Sequence, residues 1–391
     1  MRILFSSLPV HGHTYPLIPL ALAAREAGHE VVYATGEEML PSLRTAGLTV
    51  EPVALDMREA FGRALAGLRV AVPRDIPEDQ RDDATVEVFS SIAPRAFVDG
   101  LAPLIGRFRP DLVIHESGNP GAGLAAILAG VPNVVHSYGR GTPSTGDGLR
   151  GRIRQRLLEL AAELGAAGAT AHPGGLLSKG YLDIYPRSMQ DETFLAEVDR
   201  TPLRPVSYGE PAELPATVVN RTDPRPLVYL TLGTAFGSPD VLRDAIAGLS
   251  QLDCEVLVAA GPTVDVHELG DWPGNVTVET WVPQARLLPH VDLAVHHGSA
   301  GTVLSVLAAG VPQLILPQGG DGFINAAAVA QAGAGDWLPP AECDAAAVTE
   351  KAGKLLADPA CREAAGRVGR EIAAMPTPAE VAARLERFTA S

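Results

Sequence analysis

The chain has 391 residues, of which 46% are hydrophobic and only 5% aromatic, and its formal net charge is −15. That length exceeds the usual size of one domain, and a chain poor in aromatic residues favours helices packed on parallel sheets over all-β architecture. The acidic charge offers no positive field to a polyphosphate chain, which excludes nucleic acid and anionic membranes as expected partners.

The first half of the chain alternates strand and helix patterns, which predicts a parallel sheet. Strands are predicted at 2–7, 29–34, 48–53, 111–115 and 133–136, and helices at about 16–27, 37–46 and 123–129. The segments 56–80 and 138–179 are less regular. We expect such insertions to carry ligand specificity.

A second alternation begins at residue 227. Strands are predicted at 227–232, 255–260, 276–278, 292–295 and 313–316, and helices at 344–357, 359–374 and 379–388. The proline-rich segment 201–226 has little periodicity, which indicates an extended linker. We therefore predict an N-terminal domain at 1–205, a linker at 206–226, a C-terminal domain at 227–375 and a final helix at 376–391 that packs across the domain junction.

Cysteine content and hydropathy predict where the protein works. Cys254, Cys343 and Cys361 lack the spacing of a disulfide framework or a zinc site, which is typical of a reduced cytoplasmic protein. The apolar N-terminus leads into Gly12 and His13 rather than a cleavage site, so it predicts a buried strand. No stretch approaches the ~18 uninterrupted apolar residues of a membrane span.

The loops after the strands are the expected location of the chemistry, because ligands of open α/β sheets bind beyond the carboxyl ends of strands. His13 follows the first strand and can take a proton from a hydroxyl near neutral pH. Glu116 follows the strand at 111–115 and can orient that imidazole by accepting its other N–H. His11 is an alternative base, His13 can instead cap its own helix, and Glu116 can be an exposed loop residue.

The segment 296–302, His-His-Gly-Ser-Ala-Gly-Thr, lies between a predicted strand and a helix and is typical of a diphosphate cradle. Its small residues let backbone N–H groups approach an anion at the positive end of the helix, and His297 and Thr302 add side-chain donors. A plain strand-to-helix turn would explain the glycines alone. Outside the segment, Trp281 can stack on a nucleobase and Asp321 can bind sugar hydroxyls.

Four motifs together resemble those of the family 1 GT-B nucleotide-sugar glycosyltransferases, and more narrowly of bacterial enzymes that glycosylate antibiotics and other natural products. The motifs are Gly12-His13 with Pro16-Leu17, Trp281-Val-Pro-Gln284, His297-Gly-Ser-Ala-Gly-Thr302, and Pro317-Gln-Gly-Gly-Asp321 with Asn325-Ala326. The resemblance runs the whole length and is strongest over 276–335. It implies an α/β GT-B fold, in which two Rossmann-like domains with parallel sheets face a central cleft and bind the acceptor and the nucleotide sugar respectively.

The resemblance also implies roles for individual residues. His13 would be the general base of a single inverting displacement. Trp281 would stack on the nucleobase, and Gln284 would lie near the ribose. The predicted nucleotide-sugar site consists of Thr234, Trp281, Val282, Gln284, His297, Gly298, Ser299, Ala300, Gly301, Thr302, Asp321 and Gly322. No metal or cofactor is expected, because the chain has no Asp-x-Asp motif and the helix end supplies positive potential.

Departures from the family pattern narrow the substrates. Where many relatives carry a glutamate that meets the ribose hydroxyls, this chain has Ser305, which suits the 2′-deoxyribose of a dTDP-sugar. Gly322 replaces a glutamine that grips glucose, and fewer polar partners suit a deoxysugar. Ser299 replaces a glycine and should preserve the turn. The acceptor is predicted to be a natural-product aglycone, bound by residues including Met57, Phe61, Tyr138 and Arg140.

Other functions stay open at this point. A UDP-hexose donor, a non-catalytic homologue that activates a partner transferase, and an epimerase or hydrolase on the same scaffold are the alternatives. Retention of His13, His297 and Asp321 argues against the non-catalytic homologue, which has no need of a base. A dinucleotide-binding module lacks support, because neither half has the G-x-G-x-x-G fingerprint after its first strand.

Overall fold

The computed structural model of the protein describes residues 1–66, 78–141, 143, 148–166, 171–172, 175–176, 178, 180–209, 212–233, 238–261 and 264–389. The chain divides into two compact units. The first unit consists of Met1–Ile184, Asp191–Leu203 and Pro376–Ser391, and the second of Tyr185–Gln190 and Arg204–Met375. A short segment of the first half of the sequence thus belongs to the second unit, and the C-terminal segment belongs to the first.

Strands and helices alternate along most of both units. The strands are β1 Arg2–Ser6, β2 Glu30–Thr35, β3 Thr49–Pro52, β4 Leu112–Glu116, β5 Asn133–His136, β6 Ala171–His172, β7 Gly175–Leu176, β8 Tyr181–Asp183, β9 Arg200–Pro202, β10 Leu227–Thr231, β11 Glu255–Ala259, β12 Val276–Glu279, β13 Leu293–His296, β14 Gln313–Ile315 and β15 Gly335–Trp337. The α-helices are α1 His11–Thr14, α2 Ile18–Glu26, α3 Leu40–Thr45, α4 Met57–Leu65, α5 Glu78–Glu87, α6 Ala93–Phe108, α7 Pro120–Leu128, α8 Leu149–Glu163, α9 Glu192–Glu197, α10 Ala216–Val219, α11 Pro239–Leu249, α12 Gln284–Leu287, α13 Ala300–Ala308, α14 Gly322–Gln331, α15 Ala345–Ala357, α16 Pro359–Ala374 and α17 Pro378–Ala382.

The first unit is built on a parallel sheet with strand order β3-β2-β1-β4-β5-β8-β9. The order reverses between β1 and β4, whose residues pair from Ile3 with Leu112 to Ser6 with His115. A reversal of this kind opens a crevice beyond the carboxyl ends of the two strands, where ligands of such sheets bind. His13 follows β1 and Glu116 ends β4, so both lie at this crevice.

A continuous helical run at Gln80–Phe108 forms part of the core of the first unit, with a π-helical turn at Val88–Ile92 joining α5 to α6. By length and composition the run is apolar enough to cross a membrane, but its most apolar window is 56% buried inside the protein. Phe97 and Leu101 of α6 belong to the same buried cluster as Leu4 of β1. These contacts are those of a core helix.

The second unit repeats the arrangement with a parallel sheet in the order β12-β11-β10-β13-β14-β15, which reverses between β10 and β13. Alternate residues of β10 enter two different core clusters, as the pleat of a strand requires. Val228 and Leu230 pack with α11 and α15, and Leu227 and Tyr229 pack with α12 and α13. Helices therefore cover both faces, and the predicted α/β class with two parallel sheets is confirmed.

The structure differs from the sequence predictions mainly in short or polar elements, whose hydrophobic periodicity is weak. The first predicted helix is divided, because Pro16 and Pro19 each favour a first helical turn, so α2 begins only at Ile18. Helix α8 occupies part of a segment predicted to be irregular, and β8, β9 and β15 are too short to show a pattern. The last predicted helix ends at Ala382, before a separate turn at Leu385–Phe388.

Candidate functional site

The first unit brings together the two residues predicted to be catalytic. His13 Nδ1 lies 3.1 Å from Glu116 Oε1, and the Glu116 side chain is fully buried whereas that of His13 is 20% exposed. Glu116 is the last residue of β4, so the alternative of an exposed loop glutamate is wrong. His11 is exposed and packs edge-on against Tyr15, so the imidazole paired with the carboxylate is that of His13.

Backbone amides fix the Glu116 carboxylate from two sides. The Leu8 N–H donates to Oε1 at 3.2 Å, and the Gly118 N–H donates to Oε2. A buried carboxylate is stable only when its oxygens receive such hydrogen bonds. A neutral imidazole with its proton on Nδ1 would direct that hydrogen towards Oε1 and leave Nε2 as the nitrogen that can accept a proton.

Tyr138 and Gly118 hold the ring of His13. Tyr138 stacks on the imidazole with 4.1 Å between the ring centroids and 29° between the planes. A Cβ atom at Gly118 would lie 2.9 Å from both His13 Cε1 and Glu116 Oε2, so a larger residue there would displace the pair. Gly118 carries no signal in the sequence, because its role depends on contact with a residue far away along the chain.

Two further histidines lie in the strands behind this pair. His115 and His136 are fully buried, and burial lowers the pKa of both side chains, that of His136 to about 4. Both are therefore neutral at pH 7, and the Glu116 charge only partly opposes the effect. His13 is thus the histidine of this group with partial exposure.

The second unit forms the predicted cradle between β13 and α13. Gly298 has a φ of +90°, which a residue with a side chain rarely adopts, and a Cβ there would lie 2.8 Å from Ile315 Cγ2. Ser299 precedes the first helical residue, Ala300, and its Oγ donates to Thr302 Oγ1 at 3.1 Å. A Cβ at Gly301 would meet nothing within 4 Å. The first turn of α13 therefore has open space beside it.

His297 lies at the rim of this space. Its side chain is buried, and Nδ1 has no hydrogen-bond partner among the described residues. Its ring packs so closely on Gly233 that a Cβ there would lie 2.4 Å from His297 Cε1. Burial lowers the pKa of His297 and the charge of Asp321 opposes the shift, so the ring is neutral at pH 7. A buried nitrogen without a partner at a helix N-terminus indicates a polar ligand.

Asp321 and Gly322 have structural roles that the sequence did not reveal. Asp321 Oδ2 accepts hydrogen bonds from the Ala300 N–H at 3.1 Å and from Asn325 Nδ2 at 2.9 Å. A Cβ at Gly322 would lie 2.7 Å from the His297 carbonyl oxygen, so close packing requires glycine there. The sugar contact of Asp321 stays a prediction, with one carboxylate oxygen already bound to the N-terminus of α13.

The other residues predicted to lie near the nucleotide belong to several segments of the second half of the chain. Trp281 is 50% exposed, which leaves its ring available for stacking. The Val282 side chain is buried in the core, so only its backbone remains for a ligand, and Gln284 begins α12. Ser305 Oγ lies 2.5 Å from Ser207 Oγ and donates to the Gly301 carbonyl at 2.6 Å. Thr234 lies outside the described residues.

The predicted acceptor residues divide into two groups. Met57 and Phe61 on α4 pack against the core of the first unit, and the Phe61 ring meets Phe89 edge-on at 5.9 Å. Tyr138 contacts His13 directly, and Arg140 Nη2 lies 3.8 Å from Asp191 Oδ2. Of the four, Tyr138 is the residue that the structure places against His13. Within the described parts of the chain, no cluster of three His, Cys, Asp or Glu residues has the arrangement of a metal site.

Comparisons with known proteins show the family of the chain. The family models described as Erythromycin biosynthesis protein CIII-like match residues 22–233 with their N-terminal domain and 243–388 with their C-terminal domain. The elloramycin glycosyltransferase ElmGT of Streptomyces olivaceus is 35% identical over 398 residues, which is 98% of this chain and 97% of that protein.

Two solved structures share the fold over nearly the whole chain. The glycosyltransferase SnogD of Streptomyces nogalater has a TM-score of 0.77 and 30% identity, covering 100% of this chain and 99% of the other. The spinosyn rhamnosyltransferase SpnG, solved with thymidine diphosphate, has a TM-score of 0.80 and 28% identity, covering 99% and 100% respectively.

Proposed function

The chain belongs to the EryCIII-like family of GT-B natural-product glycosyltransferases, and we propose that it transfers a deoxysugar from a dTDP-sugar to a natural-product aglycone with inversion at the anomeric carbon. The observation that carries this proposal is the pairing of His13 Nδ1 with the buried carboxylate of Glu116. A homologue that only binds a partner has no use for a buried charge that orients an imidazole.

His13 acts as the general base in this mechanism. Its Nε2 removes the proton from an acceptor hydroxyl, and the Glu116 carboxylate, 3.1 Å from Nδ1, stabilises the imidazolium that forms. The acceptor oxygen then attacks the anomeric carbon, and the bond from that carbon to the diphosphate oxygen breaks in the same step. A single displacement of this kind inverts the anomeric configuration.

The leaving diphosphate takes the negative charge, and α13 supplies groups that stabilise it. The N-terminal amides of α13 carry partial positive charge; the N–H of Ala300 is bound to Asp321, whereas the space beside Gly301 is open among the described residues. The neutral His297 ring can donate one N–H to a phosphate oxygen. Because these groups do not depend on a cation, we propose that no divalent metal takes part.

A dTDP-sugar is the proposed donor because Ser305 on α13 stands where many relatives carry a glutamate. The Ser305 hydroxyl donates to the Gly301 carbonyl and is bonded to Ser207 Oγ, so the residue offers a ribose 2′-hydroxyl no carboxylate as its acceptor. The solved structure of SpnG with thymidine diphosphate supports the same nucleotide, and its rhamnosyl substrate supports a deoxysugar.

The acceptor is proposed to be a largely apolar aglycone that contacts Tyr138 beside His13.

The three cysteines are free thiols, which supports a reducing compartment such as the cytoplasm as the place of the reaction.

The test compares the binding of dTDP, UDP and NADH by calorimetry, followed by turnover of dTDP- and UDP-sugars with a panel of aglycones in the presence of EDTA. We expect the tightest binding for dTDP and a product whose anomeric coupling constant shows inversion. Tighter binding of UDP would move the assignment to a UDP-hexose transferase. Binding of none of the three would favour the non-catalytic homologue, and turnover lost in EDTA and restored by Mg²⁺ would contradict the metal-free mechanism.

A further inference from the structure

His296, the last residue of β13, is fully buried and forms hydrogen bonds with both ring nitrogens. Its Nδ1 accepts the N–H of Gly298 at 3.1 Å, and its Nε2 lies 2.7 Å from Gln313 Oε1. A backbone N–H can only donate, so Nδ1 is the unprotonated nitrogen and Nε2 carries the hydrogen. One tautomer therefore satisfies both contacts.

Gln313 fixes this tautomer from the neighbouring strand. Its Nε2 faces the Val303 carbonyl at 3.5 Å, which orients the amide so that Oε1 points to His296. Gln313 is also fully buried, and its backbone pairs with Ala294 in the register of β13 and β14. The amide therefore presents only an acceptor to His296, and the alternative tautomer would leave two hydrogens facing one another at Gly298.

The peptide groups around Gly298 are held from both sides. His296 binds its N–H, and Asn325 Nδ2 donates to its carbonyl oxygen at 2.8 Å. Asn325 is itself fixed by the Tyr185 hydroxyl, which donates to Oδ1 at 2.6 Å. Because Gly298 has a φ of +90° and directly precedes Ser299 and α13, these bonds set the direction in which the first amides of the helix point.

We infer that His296 is a positioning residue for the nucleotide diphosphate, which it serves by holding the N–H of Gly298 through Nδ1. This inference rests on the proposed function, in which the N-terminus of α13 binds the diphosphate. His296 itself does not touch the ligand, since it is fully buried in the sheet. His297 is the residue that contacts the phosphate, and His296 orients the turn from which it projects.

Two substitutions separate the contacts of His296 because each retains one of them. His296→Asn places an amide oxygen near the position of Nδ1, so it can accept the Gly298 N–H but cannot reach Gln313. His296→Gln places an amide nitrogen near the position of Nε2, so it can donate to Gln313 but leaves the Gly298 N–H without an acceptor. Both remove the buried ring, so the two variants are matched for loss of packing.

The experiment measures dTDP affinity by calorimetry and unfolding by urea for the wild type and both variants. We expect His296→Gln to weaken dTDP binding about tenfold, and to raise the donor KM more than it lowers kcat, while His296→Asn stays within about threefold of the wild-type affinity and the two variants lose similar amounts of stability. Equal dTDP affinity in the two variants, whether high or low, would overturn the inference. His296 would then contribute only to packing.

Failure of the proposed function looks different, because the wild type itself would then bind no dTDP. If either His296 variant does not fold, Gln313→Met provides the second test, since it removes the acceptor of the Nε2 hydrogen and releases the tautomer. We expect weaker dTDP binding from this variant as well. Unchanged dTDP affinity in Gln313→Met would overturn the inference.

Discussion

The chemistry of His13 depends on a carboxylate that water does not reach. Glu116 is fully buried, and its two oxygens receive amide hydrogen bonds from Leu8 and Gly118. Such a group has a fixed direction and a weakly screened charge, so its effect on the paired imidazole is stronger than that of a surface glutamate. The reactive nitrogen is then set by the backbone of the first unit, not by a flexible side chain.

Replacing His13 with alanine should lower kcat by about 10² to 10⁴, the usual contribution of a general base. The affinity for dTDP should stay unchanged, because the variant leaves the second unit as it is. Steady-state kinetics together with calorimetric dTDP binding measure both quantities. His11→Ala is the matched control, since His11 is a neighbouring exposed histidine whose ring packs edge-on against Tyr15. A His13→Ala enzyme with full activity, or a His11→Ala enzyme without it, would contradict the assignment.

Replacing Ser305 with glutamate tests the choice of nucleotide. The new carboxylate can accept a hydrogen bond from a ribose 2′-hydroxyl, so the ratio of kcat/KM for a UDP-sugar to that for the dTDP-sugar should rise, by about tenfold for one such contact. Competition assays with the two donors measure this ratio. Ser207→Ala is the control, because it removes the partner of Ser305 without adding an acceptor. An unchanged ratio in Ser305→Glu would remove the argument for dTDP.

At the scale of elements, two glycines with different structural roles lie at the N-terminus of α13. Gly298 is required by the fold, because its backbone has a positive φ and its Cα faces Ile315 and Gly322. Gly301 has ordinary helical geometry and nothing within 4 Å of an added Cβ. Glycine costs stability inside a helix, so its presence at an unobstructed position indicates that the space is kept for a ligand.

The variant Gly301→Val fills that space and should weaken dTDP binding at least about tenfold, while the unfolding free energy changes by less than about 1 kcal/mol. Calorimetry and urea denaturation measure the two effects. Gly366→Val in α16 is the matched control, since it also introduces valine into a helix of the second unit, where only Arg370 lies within 4 Å. Undiminished dTDP affinity in Gly301→Val would place the diphosphate elsewhere.

Sequence patterns were sufficient for several strands and helices of both units. The strand at Asn133–His136 and the helix at Pro359–Ala374 have the predicted bounds, because the Gly-Val-Pro joint before the strand and the regular period of the helix mark them. Gly118 and His296 could not be assigned roles, since each acts through a residue that only the fold brings near. The carboxylate of Asp321 likewise accepts a hydrogen bond from the N–H of Ala300, and a local sequence pattern cannot reveal this contact because the two residues are far apart in the chain.

For the molecule as a whole, neutral histidines are buried in the strands of both units. His115 and His136 lie in the first unit and His296 in the second, and burial lowers the pKa of each side chain, to about 4 for His136 and about 3 for His296. In the unfolded chain the same groups titrate near 6.5. Between these values the unfolded state binds more protons than the folded state.

Stability should therefore be highest above pH 6.5 and fall as the pH drops towards 4, because a group with a lowered folded pKa favours unfolding as soon as the unfolded chain can take up its proton. Each such histidine contributes up to ~1.4 kcal/mol per pH unit in this range. Asp223, whose carboxyl pKa is lowered to about 2 by hydrogen bonds from Arg225, adds its loss only at lower pH. Urea midpoints at pH 7.5, 6.5, 5.5 and 4.5 measure how the unfolding free energy changes with pH. His136→Asn removes one of these histidines, so the unfolding of the first unit should depend less on pH. Midpoints that stay constant from pH 6.5 to 4.5 would contradict this prediction, because they would mean that the folded and unfolded states bind equal numbers of protons in that range.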